Sequence, residues 1–121
     1  MQVLIVESTD ALADLWQRHL ERQGIDVARA ASGDAAVTLV SATRFDVIIL
    51  DLVLAEGSAI AVADYVQYRH PGTSVIFVTD TGFFSDGSIF ALIPNARAFV
   101  RCATPPEDLT AMVEHYGRAA A

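Results

Sequence analysis

The chain has 121 residues, 53% of them hydrophobic, and a formal charge of −7, which describes one ordinary domain with enough apolar mass to build a core rather than stay disordered. No apolar run reaches the ~20 residues that cross a bilayer, because Asp46, Asp51 and Asp64 interrupt the richest stretch. The acidic balance, with no basic stripe, argues against direct nucleic-acid binding, and the eight Lys/Arg positions are all arginine, so lysine is absent.

In chain order, Val3 to Val6 is a β-branched-rich, non-alternating apolar run, the pattern of a parallel strand covered on both faces. No basic segment precedes it, so a cleaved signal peptide is not expected. Leu12, Leu15, Trp16 and Leu20 fall at helical spacing, and Gly24 stands where that helix would stop. Ile25 to Ala30 reads as a second strand, and Ser32 as the cap of a helix running to about Thr43. Val47 to Leu50 is a third strand; Ile60 to Tyr68 is a third helix, ended before His70-Pro71-Gly72. Val75 to Val78 gives a fourth strand, Ile89 to Ile93 a short fourth helix stopped by Pro94-Asn95, and Ala98 to Cys102 a fifth strand. Thr104-Pro105-Pro106-Glu107 is a capping-box start for a last helix that carries Leu109, Met112, Val113 and Tyr116 on one side. There is no repeat or linker, so residues 1–121 form a single domain. Its single cysteine, Cys102, fits a reducing, cytoplasmic setting.

Five strands alternating with five helices imply a doubly wound α/β fold with right-handed crossovers and helices on both faces of a parallel sheet. Chemistry in such folds sits at the carboxyl ends of the strands, here Glu7-Ser8, Asp51, Thr79 and Cys102. Neighbouring strands lie about 4.8 Å apart, so Glu7, Asp51 and Thr79 can converge on one small ion. Two carboxylates and a hydroxyl suit a hard cation such as Mg²⁺. Against this stands a plainer account, in which polar residues mark where strands leave the core.

The run Phe45-Asp46-Val47-Ile48-Ile49-Leu50-Asp51-Leu52 resembles the phosphoacceptor strand of CheY-like receiver domains. Val3-Leu4-Ile5-Val6-Glu7 is similar to their acidic first strand, and Val75-Ile76-Phe77-Val78-Thr79 to their hydroxyl-bearing fourth. Ala98-Phe99-Val100 with Thr104-Pro105-Pro106-Glu107-Asp108-Leu109 matches the fifth strand and final helix. The resemblance covers nearly the whole chain and implies a flavodoxin-like, five-stranded parallel sheet of order 2-1-3-4-5 with five helices. It further implies a phosphorelay switch without turnover of its own. Asp51 would be phosphoacceptor and metal ligand, Glu7 would act on the metal through water, and the Val53 backbone carbonyl would complete the protein's share of a Mg²⁺ site. Thr79 and Phe99 would be the switch residues, reshaping the face of the fourth helix, fifth strand and fifth helix. The implied partners are a sensor histidine kinase or phosphotransfer protein and a downstream protein, with neither nucleic acid nor membrane; a homodimer through that same face is compatible with the pattern.

Three departures from the family bear on the phosphoryl site. Ser8 stands where a second acidic residue would ligate the metal, which lowers the ligand charge; serine also commonly caps a following helix. Cys102 falls where the family carries its lysine (a one-residue slip puts Arg101 there), and the loss removes a charge-assisted hydrogen bond of about 1.5–3 kcal/mol. Asp80 replaces a small residue beside the phosphoryl position, where a carboxylate ~6 Å away would repel it by about 3 kcal/mol per unit charge; it could also supply the anion that Ser8 does not. Asn95, in place of a glycine, suits a left-handed helix end. Phe83 and Phe84 offer an exposed contact patch or pack on the domain. Phosphorylation is accordingly expected to be weak or absent, Mg²⁺ to bind weakly, and the alternative is a phosphorylation-independent pseudo-receiver that works by protein contacts. A small phosphatase with Asp51 as nucleophile is the rival class, disfavoured because Val53 occupies the place of its second aspartate. No glycine-rich nucleotide fingerprint is present.

Overall fold

The computed structural model describes residues 1–79 and 94–120. Five strands, β1 (Gln2–Val6), β2 (Asp26–Ala30), β3 (Val47–Asp51), β4 (Ser74–Val78) and β5 (Ala96–Val100), form one parallel sheet of order β2-β1-β3-β4-β5. Four helices lie within the described residues: α1 (Asp10–Arg22), α2 (Gly33–Ala42), α3 (Ala59–Arg69) and α4 (Pro106–Ala120). The short helix expected at Ile89–Ile93 lies outside them, as do Asp80, Phe83 and Phe84.

The apolar runs divide by alternation, since successive side chains on a strand point to opposite faces. Leu4, Val6, Ile48, Leu50, Val75 and Phe77 pack on one face against Ala36, Val40, Val62, Ala63 and Val66 of α2 and α3. Val3, Ile5, Val47, Ile49, Ile76 and Val78 pack on the other against Ala13, Trp16 and Leu20 of α1 and Leu109 and Val113 of α4. The three inner strands are therefore buried on both sides, which explains runs without polar alternation. Each such side chain contributes about 1.5–3 kcal/mol on burial, so a slipped register would be costly.

Local signals do the punctuation. Ser32 accepts from the Ala35 amide and opens α2; Ser58 accepts from the Ala61 amide and opens α3. Gly24, at φ +77°, turns the chain after α1, with its amide on the Glu21 carbonyl. At α4 the expected capping box shifts by one residue: Pro106 is the first helical residue, so the cap position is Pro105 rather than Thr104, and the Pro105 carbonyl accepts from the Asp108 and Leu109 amides.

β5 departs from expectation. It spans Ala96–Val100 rather than Ala98–Cys102, because Val75 pairs with Ala96 while Ile76 pairs with Ala98. Exposed Arg97 is the extra residue of a bulge, which draws the strand's start two residues earlier. Asn95 precedes it in a turn; among the described residues no non-glycine has positive φ, so Asn95 is not in the left-handed conformation. It is buried, and its carbonyl accepts from the Val75 amide.

Candidate functional site: a carboxylate pair at the carboxyl edge of the sheet

β1 and β3 pair with Val3 opposite Val47 and Val6 opposite Leu50. The next step brings Glu7 level with Asp51, so the 44-residue spacing (51 − 7) is the register offset of the two strands (47 − 3). Both carboxylates are buried, at 3% and 8% exposure. The Thr9 amide donates to Glu7 Oε1 at 3.0 Å, and the Val53 amide donates to Asp51 Oδ1 at 2.8 Å.

Asp51 acts on Glu7 as a neighbouring carboxyl group. Burial, and next the neighbouring Asp51 carboxyl, push Glu7 up from its ordinary 4.5 to about 7, against the Thr9 amide, which favours the anion. Glu7 Oε2 is buried with no hydrogen-bond partner. An orphaned oxygen beside a second carboxylate is the donor set that a proton or one hard divalent cation satisfies, so Glu7 and Asp51 fit Mg²⁺ chemically. Among the described residues no cluster of three or more His, Cys, Asp or Glu side chains is placed to hold a metal, and the pair offers at most two charges.

Thr79 follows β4 immediately and is 7% exposed. β4 neighbours β3, with Val78 opposite Asp51, and the Thr79 amide donates to the Val100 carbonyl. Thr79 thus stands one strand away from Asp51, at the same end of the sheet. Phe99 is half-buried and stacks on Phe77 with ring centroids 5.3 Å apart and planes at 22°. Val53 is 60% exposed beside the pair, an apolar side chain at the mouth.

Two expectations change here. Ser8 does not cap α1: the N-cap is Thr9, which makes no side-chain cap bond. The Ser8 hydroxyl instead donates to the Ala31 carbonyl at 3.0 Å and accepts from the Ala55 amide at 2.9 Å. Its proton and one lone pair are committed to the neighbouring loops. Cys102, in turn, is not a strand-end residue. It lies in a turn two residues beyond β5, half-buried against the α1–α4 face of the core, while Arg101 is exposed.

Sequence reasoning missed the Thr9 amide and the loop partners of Ser8. The only signal was two glycines at the far ends of the loops, Gly33 and Gly57. The Gly33 amide donates to the Glu56 carbonyl, and a Cβ on Gly57, at φ +90°, would meet the Gly33 backbone at 3.0 Å. That approach, with the positive φ at position 57, favours glycine.

This arrangement has relatives. A model of the response regulator receiver domain matches residues 3–114. The chain belongs to that family. Receiver domains interact with histidine kinases or phosphotransfer partners in two-component signalling, typically bind Mg²⁺ at the phosphorylation site, and are generally non-enzymatic modules. The response regulator protein PilR of Pseudomonas aeruginosa is 32% identical over 108 residues, 89% of this chain and 23% of its own length. The chain thus spans about a quarter of that relative. A receiver domain protein of Methanospirillum hungatei superposes with a TM-score of 0.89 at 23% identity, covering 98% of this chain and 94% of its own, a likeness of fold. The N-terminal domain of a response regulator, sensory box and GGDEF protein from Carboxydothermus hydrogenoformans does so with 0.86 at 26% identity, covering 98% and 95%. No helix among the described residues is long and apolar enough to cross a membrane.

Proposed function

We propose that this receiver domain serves a cytoplasmic two-component pathway in which Asp51 accepts a phosphoryl group slowly from a sensor histidine kinase or phosphotransfer protein, and passes the signal to a partner protein without turnover of its own. The observation that carries this reading is the buried Glu7–Asp51 pair with its orphaned oxygen, held at the end of β3 beside Thr79. With Oδ1 bonded to the Val53 amide, the other Asp51 oxygen is the nucleophile. Its bond to phosphorus forms as the phosphorus–nitrogen bond of a phosphohistidine breaks; the electron pair leaves with the imidazole, and an acyl phosphate results. Glu7, Asp51 and the Val53 carbonyl would hold Mg²⁺, which supplies charge neutralisation for the transferring group. Thr79 would meet the phosphoryl group and Phe99 would register the change, a reading supported by the position of Thr79 at the end of β4 and by the stack of Phe99 on Phe77.

Slow transfer follows from what the site has exchanged. Ser8 brings no charge and is engaged elsewhere, no lysine exists to offset the incoming oxygens, and burial shifts Glu7 toward its neutral form. The same three observations support a second reading, a pseudo-receiver that acts by contacts alone. Incubation with acetyl phosphate and Mg²⁺ followed by intact-mass measurement separates the two. A gain of roughly 80 daltons, the mass of a phosphoryl group, that vanishes in Asp51→Asn supports phosphoacceptance; no adduct after prolonged incubation leaves the contact-only module.

A further inference from the structure

We propose that Ser8 is a positioning residue: its hydroxyl straps the loop after β3 to the loop after β2, and so fixes the orientation of the Asp51 carboxylate whether or not a divalent cation is bound. The inference rests on the receiver reading of Asp51 but concerns a residue that touches neither the phosphoryl group nor the metal.

The strap is a relay of two hydrogen bonds across three loops. The Ala55 amide donates to Ser8 Oγ at 2.9 Å, and Ser8 Oγ donates onward to the Ala31 carbonyl at 3.0 Å. The partners are 47 and 23 residues away in sequence, so one short side chain gathers the loops that follow β1, β2 and β3. A hydroxyl that donates and accepts at once polarises both bonds in the same sense. Alongside, the Gly33 amide donates to the Glu56 carbonyl at 3.1 Å, and the Gly33 and Gly57 backbones touch. Between this seam and the end of β3 lie only Leu52 to Leu54. That segment is tied at its start, where the Leu52 amide donates to the Val78 carbonyl at 2.9 Å, and in its middle, where the Val53 amide donates to Asp51 Oδ1 at 2.8 Å. With Ala55 pinned by Ser8, the Val53 amide stays on Oδ1, and Asp51 keeps its other oxygen for chemistry. A carboxylate at position 8 could accept from Ala55 but has no proton for the Ala31 carbonyl when ionised, so the relay needs a hydroxyl.

Residue-resolved amide exchange on the intact chain tests this, without added metal and with Mg²⁺. Ser8→Ala is expected to speed exchange at Ala55 and Val53 by roughly five- to tenfold, the loss of one or two hydrogen bonds, while amides within β1, β3 and α1 keep their rates. Ser8→Thr, which retains the hydroxyl, is expected to restore protection, and Mg²⁺ to leave the wild-type rates at both positions within about twofold. Unchanged exchange at Val53 in Ser8→Ala, or a uniform acceleration of all amides, would overturn the proposal. In a second arm, labelling by acetyl phosphate should fall by about three- to tenfold in Ser8→Ala and recover in Ser8→Thr, as expected when a reacting group loses its orientation. Equal labelling of wild type and Ser8→Ala despite faster exchange would reduce the strap to a structural tie and also overturn the positioning role. Absence of label on the wild type sinks the phosphoacceptor reading instead, and the exchange arm alone then decides whether Ser8 fixes Asp51.

Discussion

The carboxyl edge of the sheet has two halves that behave differently. Around β1 and β3, both strands are buried on two faces and pair without interruption, and Glu7 comes level with Asp51 at the strand ends. Around β5, an edge strand with a bulge opposite β4, the strand starts and ends two residues early, and Cys102 drops into a turn. Full burial on both faces of an uninterrupted pairing pins a register; the shallower burial of an edge strand with a bulge leaves the strand's limits to local backbone geometry. A site residue can therefore be placed from sequence with assurance only as far as the strand beneath it is held by core.

Substitutions can break that contrast. The largest effect is expected from Asp51→Asn: complete loss of any acyl-phosphate adduct by intact mass, with the far-ultraviolet circular dichroism of the folded domain retained. Next, Ile49→Ala in β3 should cost about 2–5 kcal/mol in urea unfolding, against about 1 kcal/mol for the half-buried Val100→Ala in β5. Equal losses would show that the edge strand is held as firmly as the centre. The Glu7–Asp51 pair supplies a pH test. Glu7 binds its proton more tightly folded, at about 7, than at its ordinary 4.5, so its contribution is fully present below about 4.5 and is lost as pH rises to about 7. Stability should decline across that window by up to about 3 kcal/mol, and Glu7→Gln should flatten the decline and stabilise the domain at pH 8. A thermal midpoint as pH-dependent in Glu7→Gln as in the wild type would contradict the assignment to Glu7. The smallest effect belongs to the other half of the edge. Cys102→Lys should raise acetyl-phosphate labelling only a few-fold, less than the ~10-fold or more that a well-placed charge-assisted hydrogen bond gives, because position 102 lies beyond the strand end. A hundredfold gain would mean that the turn delivers an ammonium to the phosphoryl position after all.

Much of the fold was legible because its signals are local and repeated. The apolar runs at Val3, Val47 and Val75 mark the inner strands, Ser32 and Gly24 mark helix limits, and the helical stripe of Leu109, Met112, Val113 and Tyr116 packs as its spacing indicates. Glu7 and Asp51 were legible because each carboxylate directly follows an apolar strand run, and the ends of neighbouring strands converge. Ser8 was not. Helix capping and loop strapping ask for the same hydroxyl, and only the positions of Ala31 and Ala55, far off in sequence, decide between them. Nor could the proton affinity of Glu7 be read beforehand, since it depends on burial and on how near Asp51 comes. The bulge at Arg97 leaves no mark in composition, which is why the fifth strand was set two residues late.

The touching backbones of Gly33 and Gly57 carry a consequence for how this chain can vary. Where two turns meet without a side chain between them, neither has slack: a residue added to one, or a methyl group on either glycine, must be answered by movement of the other. The turns after β2 and β3 therefore form a length-locked junction, and diversification at this end of the molecule is steered away from that junction, toward exposed positions such as Val53.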